Sequence, residues 1–242
     1  MKNSNFLRLS KKFKIFTKLY YFYNIYIRNY KFLNNSSQFG EDKFLLNLFD
    51  KNYIGKYLDL GCFHPTRHSN TNLLYKNKWS GINIDLNPLS IELFNYMRPN
   101  DINLNIGISS KEDEKELYFI DELNTQNNLD KNQLNFLKNH HNLKENEIIV
   151  KKIKTKKLNT VLDDYNLDKI DFFNIDIEGH ELEVIKTIDF DKIKIKYMCI
   201  EMIEHNHLSI EYSKKIRDIL INNKFDMIKK FDFNYIYQNK KF

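Results

Sequence analysis

A chain of 242 residues, 42% hydrophobic and 14% aromatic, can bury the core of one α/β domain with an appendage, which excludes wholesale disorder. Two cysteines, Cys62 and Cys199, are too few for a disulfide scaffold or a cysteine-based zinc site, and packing roles in a reducing compartment are expected of both. The formal charge of +6 is concentrated at one end: the first 40 residues hold eight bases and no acid, while the rest carries two more acids than bases. The high isoelectric point is therefore no argument for a general affinity for nucleic acid.

Residues 1–35 read as a basic, aromatic-rich arm ending in Asn34-Asn35-Ser36-Ser37, and residues 36–242 as a single Rossmann-like domain. Phe44, Leu45, Leu48 and Phe49 recur at helical spacing. Tyr57–Leu60 is a short apolar run ending in Asp59-Leu60-Gly61, followed by a polar loop and a short helix at 72–77. Gly81–Leu86 is a second run ending in an acid, Asp85, and Pro88 opens a helix through Met97. Ile102–Ile108 reads as a third strand, and 122–147 as a polar insertion with a helical portion near Leu134. Strands follow at 148–153, 171–177 and 198–203, each succeeded by an apolar-faced helix, and residues 225–230 with 234–237 form a closing antiparallel hairpin. This alternation predicts an α/β fold with a mostly parallel sheet covered on both faces.

No stretch reaches the roughly 18–20 apolar residues of a membrane span, and no signal-peptide cleavage site follows the tyrosine-rich stretch 15–27. The expectation is a cytoplasmic chain whose residues 1–33 can lie against an anionic inner membrane surface; packing of that arm on the domain or on a second subunit is the rival expectation. The oligomeric state is not written in the sequence.

Ligands of a doubly wound sheet bind beyond the carboxyl ends of its strands. Those ends carry Asp59/Gly61, Asp85, Asn105/Gly107, Asp176/Glu178 and Glu201, a polar rim that describes a pocket. Gly61 permits a sharp turn and close approach to a ligand. Asp85 lies 24 residues on, close to the offset of about 20 at which an acid grips ribose hydroxyls. No second glycine follows Gly61, only Cys62, Phe63, His64 and Pro65, which disfavours a pyrophosphate-bearing dinucleotide and favours a nucleoside cofactor without phosphates.

Ser37-Gln38-Phe39-Gly40-Glu41-Asp42, Tyr57-Leu58-Asp59-Leu60-Gly61-Cys62 with Pro65, Ser69-Asn70-Thr71, Trp79 through Asp85, Arg98-Pro99-Asn100-Asp101, and Asp176-Ile177-Glu178-Gly179-His180-Glu181 follow one another along the chain. In order and spacing these segments resemble the FkbM family of S-adenosylmethionine-dependent O-methyltransferases. The resemblance runs from about residue 36 to residue 201. It implies a class I methyltransferase fold with a C-terminal antiparallel hairpin, S-adenosyl-L-methionine as methyl donor, and a hydroxyl acceptor on a sugar, surface-polysaccharide precursor or secondary metabolite. By the same resemblance Gln38, Glu41, Asp59, Gly61, Asp85, Asn105 and Gly107 would hold the cofactor.

Methyl transfer to oxygen needs an aligned acceptor and a base for its proton. Asp176 is the expected base or orienting carboxylate, with Glu178 and His180 beside it; capping of the next helix is the plainer role for Asp176. His64, Glu181 and Glu201 are expected on the acceptor side. Carboxylates at neighbouring strand ends could share a Mg²⁺, but a polar wall is the favoured reading of Glu201. The rival functions are a nucleic-acid methyltransferase, suggested by the basic arm, and a non-catalytic membrane-associated protein retaining the fold. Against the first, Asn174-Ile175-Asp176-Ile177 replaces the Asp/Asn-Pro-Pro-Tyr box of amine methylation.

Overall fold

A computed structural model describes residues 14–119 and 149–241. The expected insertion at 122–147 lies outside them. Strand alternation assigns the two faces of the main sheet. In β1 (Lys56–Leu60), Leu58 and Leu60 join one apolar cluster and Tyr57 a second. The same split recurs in β7 (Lys169–Ile175), with Phe173 and Ile175 on the first face and Phe172 on the other, and in β8 (Lys194–Glu201), with Met198 and Ile200 opposite Tyr197 and Cys199. β2 (Ser80–Ile84) and β3 (Ile102–Leu104) extend the sheet beyond β1, while the hairpin β9 (Phe225–Phe231) and β10 (Asn234–Asn239) closes it beyond β8. The order is β3-β2-β1-β7-β8-β10-β9, parallel throughout except for β10 against its two neighbours. Strand order reverses between β1 and β7, which fixes where a ligand should bind.

One face is covered by residues of α5 (Leu158–Asp164), α6 (Glu181–Thr187) and α7 (His207–Asn222), and the other by α2 (Glu41–Leu46) and α3 (Asn72–Lys76) with Trp79. α4 (Pro88–Met97) starts on its proline behind an Asn87 cap, whose side chain accepts the Leu89 N–H at 3.0 Å. α1 (Lys14–Phe22) passes into a wide π-helical turn, Tyr23–Arg28. That turn leaves carbonyls poorly served, and the buried amides of Asn24 and Asn29 donate to Tyr20 O (3.0 Å) and Asn24 O (2.7 Å). Tyr20 and Ile25 then pack on Leu89 and Leu93 of α4.

The expected strand 102–108 is two pieces. After β3 the chain breaks, and β4 (Gly107–Ile108) pairs instead with β6 (Ile149–Lys156) in a separate sheet of order β4-β6-β5. β5 (Asp113–Phe119), Asp-Glu-Lys-Glu-Leu-Tyr-Phe, carries too little apolar alternation to announce itself. Leu117 of this strand meets Ile153 and Leu86 under the small sheet.

Candidate active site at the carboxyl edge of the sheet

One register position crosses five strands as Asn103, Asn83, Asp59, Asn174 and Cys199. The middle three are buried, so their polar groups need partners. Asn83 Nδ2 donates to Asn103 Oδ1 at 2.8 Å and to Asp101 Oδ2 at 3.1 Å, and Asn174 Nδ2 donates to Asp59 Oδ1 at 2.9 Å. Thr71 Oγ1 donates to Asp59 Oδ2 at 2.7 Å, and Asn70 Nδ2 to Asn174 Oδ1 at 2.9 Å. Behind this ladder sits Arg98, fully buried. It donates to Thr71 Oγ1 (2.9 Å), Tyr57 Oη (3.3 Å), Pro65 O (2.6 Å) and Ser69 Oγ (3.1 Å), with its guanidinium 4.7 Å from the Phe94 ring centre. Tyr57 in turn donates to Asp101 in a short hydrogen bond. A buried guanidinium is tolerated only when so surrounded, and here it pins the loop 65–71 over the end of β1.

The rim beyond β7 and β8 is built differently. Asp176, Glu178 and Glu201 are partly exposed and bring carboxylate oxygens within 4.8 Å of one another. Burial first, then the charges of Glu201, Glu178 and Glu181, hold Asp176 well above the ordinary carboxylate range. Burial and the neighbouring carboxylates push Glu178 up to about 8, and burial with Glu181 pushes Glu201 up to about 7. Glu178 has φ 52°, a left-handed backbone that an L-residue adopts at a cost of roughly 1 kcal/mol or more, and Gly179 follows at φ 96°. Among the described residues this is the group of acids whose oxygens could share a cation, whether a sulfonium or a hard metal ion.

Capping is not Asp176's role. His180 is the N-cap of α6 and makes no side-chain cap bond, while Glu181, buried behind the turn, accepts the N–H groups of Ile177 (3.1 Å) and Gly179 (3.0 Å). The acid expected on the substrate therefore holds the turn, and the acid with the plainer capping alternative is released into the cavity.

A cavity of about 360 Å³ joins the two halves of the rim. Of the sequence-selected residues it is lined by Gln38, Asp59, Gly61, Asp85, Gly107, Asp176, Glu178, His180 and Glu201. Four others are not among its lining residues. Glu41 is buried, accepting from Asn234 Nδ2 at 2.7 Å and from Phe39 N at 2.9 Å. Asn105 donates to Asp85 O at 2.9 Å. His64 is buried, its Nδ1 accepting the N–H groups of Thr66 (3.2 Å) and Arg67 (3.1 Å), and burial drives its pKa down to about 3, so the ring is a neutral turn-former. Glu181 is the fourth. Gly61 has a nearer reason for its identity than a ligand: at φ 76° an added Cβ would stand 1.6 Å from the Asp176 carbonyl oxygen. Both cysteines are buried and unpaired.

Asp85 accepts the N–H groups of Phe63 and Asn87, each at 2.7 Å, one on each carboxylate oxygen. Burial raises its pKa to about 6. Each oxygen keeps a lone pair for a further donor. Asn70, Asn174, Arg67, His68, Phe233 and Asn234 also line the cavity. Sequence reading missed Arg67, Asn174, Phe233 and Asn234 as site residues, because Asn174 looked like one polar residue in an apolar strand and Asn234 like the start of a hairpin strand. Two of the lining residues, Phe63 and His68, have left-handed backbones that carry no sequence signature.

A doubly wound sheet closed by an antiparallel hairpin, with a polar cavity at the β1/β7 switch point, defines a Rossmann-like domain of the methyltransferase class. The chain belongs to the methyltransferase FkbM domain family, whose model matches residues 54–235. The crystal structure of methyltransferase FkbM from Methylobacillus flagellatus KT is similar to it, with a TM-score of 0.45 and 14% identity, covering 92% of this chain and 54% of that one. This chain thus spans about half the length of that protein. No curated protein matches it.

Proposed function

We propose that the chain binds S-adenosylmethionine and methylates a hydroxyl of a small, uncharged acceptor such as a sugar, a surface-polysaccharide precursor or a secondary metabolite. The observation that carries this reading is the cavity with Asp85 at one wall and the Asp176–Glu178–Glu201 trio at another. Asp85 has lone pairs to spare for vicinal ribose hydroxyls, Ile84, Leu86, Ile106 and Ile108 offer an apolar wall for a base, and the acid trio suits a cationic sulfonium. When bound, the cofactor would supply an electrophilic methyl group. The chain's own part is to hold the acceptor hydroxyl and take its proton onto Asp176 or Glu201. A carboxylate raised to about 7, as Glu201 is, suits that task, because a base works best when its pKa lies near the working pH. Arg67 is the one arginine or lysine among the described residues that line the cavity, which gives a polyphosphate acceptor little counter-charge and weighs against nucleic acid.

Calorimetry with S-adenosylmethionine tests the reading. The wild type should bind and Asp85→Ala should lose roughly 1–3 kcal/mol of affinity, the cost of charge-assisted hydrogen bonds. No binding by the wild type sinks the proposal and favours a non-catalytic relative. Turnover that survives exhaustive EDTA treatment would assign the trio to the acceptor's polar wall; turnover abolished by EDTA and restored by Mg²⁺ would assign it to a metal.

A further inference from the structure

We propose that the outward face of the N-terminal helix is a docking surface for an anionic membrane. α1 and its π-helical turn have two unlike sides. Tyr20, Asn24, Ile25 and Asn29 are buried against the domain, and Tyr21 Oη donates to Glu92 of α4 at 2.6 Å. The opposite side exposes Ile15 (64%), Leu19 (51%), Phe22 (45%), Ile27 (53%) and Tyr30 (69%). Ile15, Leu19, Phe22 and Tyr26 follow the 4-3-4 spacing of a single helix face. Exposed apolar residues scattered singly need no explanation, but a continuous stripe does.

Charge selects the occupant. Lys18, Arg28 and Lys31 are exposed on the same segment, and residues 1–40 carry eight bases without one acid. A second copy seated on this face would bring two such arms together and meet repulsion. A bilayer bearing acidic headgroups gives the apolar stripe an interface and the lysines a counter-charge, with tyrosines at headgroup depth. No described helix is long and apolar enough to cross a membrane; the proposed contact is made by the exposed face of α1.

The buried side of the same arm reaches the cavity. Asn29 Nδ2 meets His64 Nε2 at 3.4 Å, the Phe32 ring stands edge-on to His68 at 5.2 Å, and Ser69 N donates to Ser36 O at 3.1 Å. Whatever holds the outer face is therefore about one helix diameter, ~10 Å, from the loop that lines the site. The inference does not depend on the reaction catalysed.

The test is co-sedimentation of the full chain with vesicles of phosphatidylcholine plus phosphatidylglycerol, and with phosphatidylcholine alone, at low and high salt. Binding should require phosphatidylglycerol and weaken with salt. Each exposed base near an anionic surface contributes about fivefold, so Lys18→Gln with Lys31→Gln should weaken binding roughly 25-fold. The triple change Ile15→Ser, Leu19→Ser, Ile27→Ser should abolish it; should that protein prove unfolded by circular dichroism, the lysine pair decides. Equal binding to both vesicles, or to neither, overturns the proposal. So does concentration-dependent dimerisation without lipid that the serine variant loses, which would assign the face to a second copy.

Discussion

Asp59 and Asp176 end neighbouring strands of the same sheet, yet their surroundings are opposite. Burial raises the pKa of Asp59, and the hydrogen bonds of Thr71 and Asn174 with the charge of Arg98 pull it back. At Asp176 burial, three neighbouring carboxylates and a proton-sharing contact with Glu201 all push the same way. The first acid has both oxygens held by neutral donors, Thr71 and Asn174, and the second belongs to a cluster of like charges that a cation or a proton must relieve. An acid on a strand end is thus made structural or chemical by its neighbours, not by its position on the rim.

The largest expected break falls on the satisfied side. Arg98→Met should cost about 3–5 kcal/mol of stability, since it leaves Thr71, Tyr57, Ser69 and the loop carbonyl of Pro65 without their buried donor. Urea unfolding measures this, and a loss under 1 kcal/mol would remove Arg98 from its role as the ladder's anchor. On the other side the loss should appear in chemistry. Asp176→Asn should lower turnover ~10²-fold or more, read as S-adenosylhomocysteine released on a panel of sugars, while the melting temperature holds or rises because a like charge has gone. A large fall in stability with no specific loss of turnover would reverse the contrast between the two acids.

Titration sharpens the same contrast. Glu178 ionises near 4.5 when unfolded and near 8 when folded. The folded state therefore binds the extra proton between those values, and its stabilising contribution, complete below about pH 4.5, is lost as pH rises through about 8. Stability of the ligand-free protein should fall over that window, and Glu178→Gln should flatten the slope; an unchanged slope would place the proton elsewhere. The smallest effect concerns backbone. Glu178→Gly removes a left-handed strained residue, so stability should shift by no more than about 1 kcal/mol while turnover falls, separating the side chain's work from the turn it occupies.

Local sequence patterns were not enough for β5 or the break after β3, but they were enough for the parallel core with its closing hairpin and for the strand ends that carry Asp59, Asp85, Asp176 and Glu201. Those features follow from local rules: period-two burial in strands, a proline at the first turn of α4, and acids where strands stop. All four acids line the cavity, whereas the contacts that withdraw Glu41 and Glu181 from it come from the tertiary structure. Glu181, expected beside the acceptor, holds the turn instead, while Asp176, five residues earlier, lines the cavity, because the left-handed pair Glu178-Gly179 turns the chain between them. His64 left the wall because two backbone N–H groups claimed its ring, and Arg98 became the hub of a network spanning residues 57 to 101. The break after β3 was equally non-local, since β4 follows a partner more than 40 residues further along the chain. Partners chosen across such distances leave no periodic trace in the segments they join, which is why the fold was legible in the sequence and the division of labour among its charges was not.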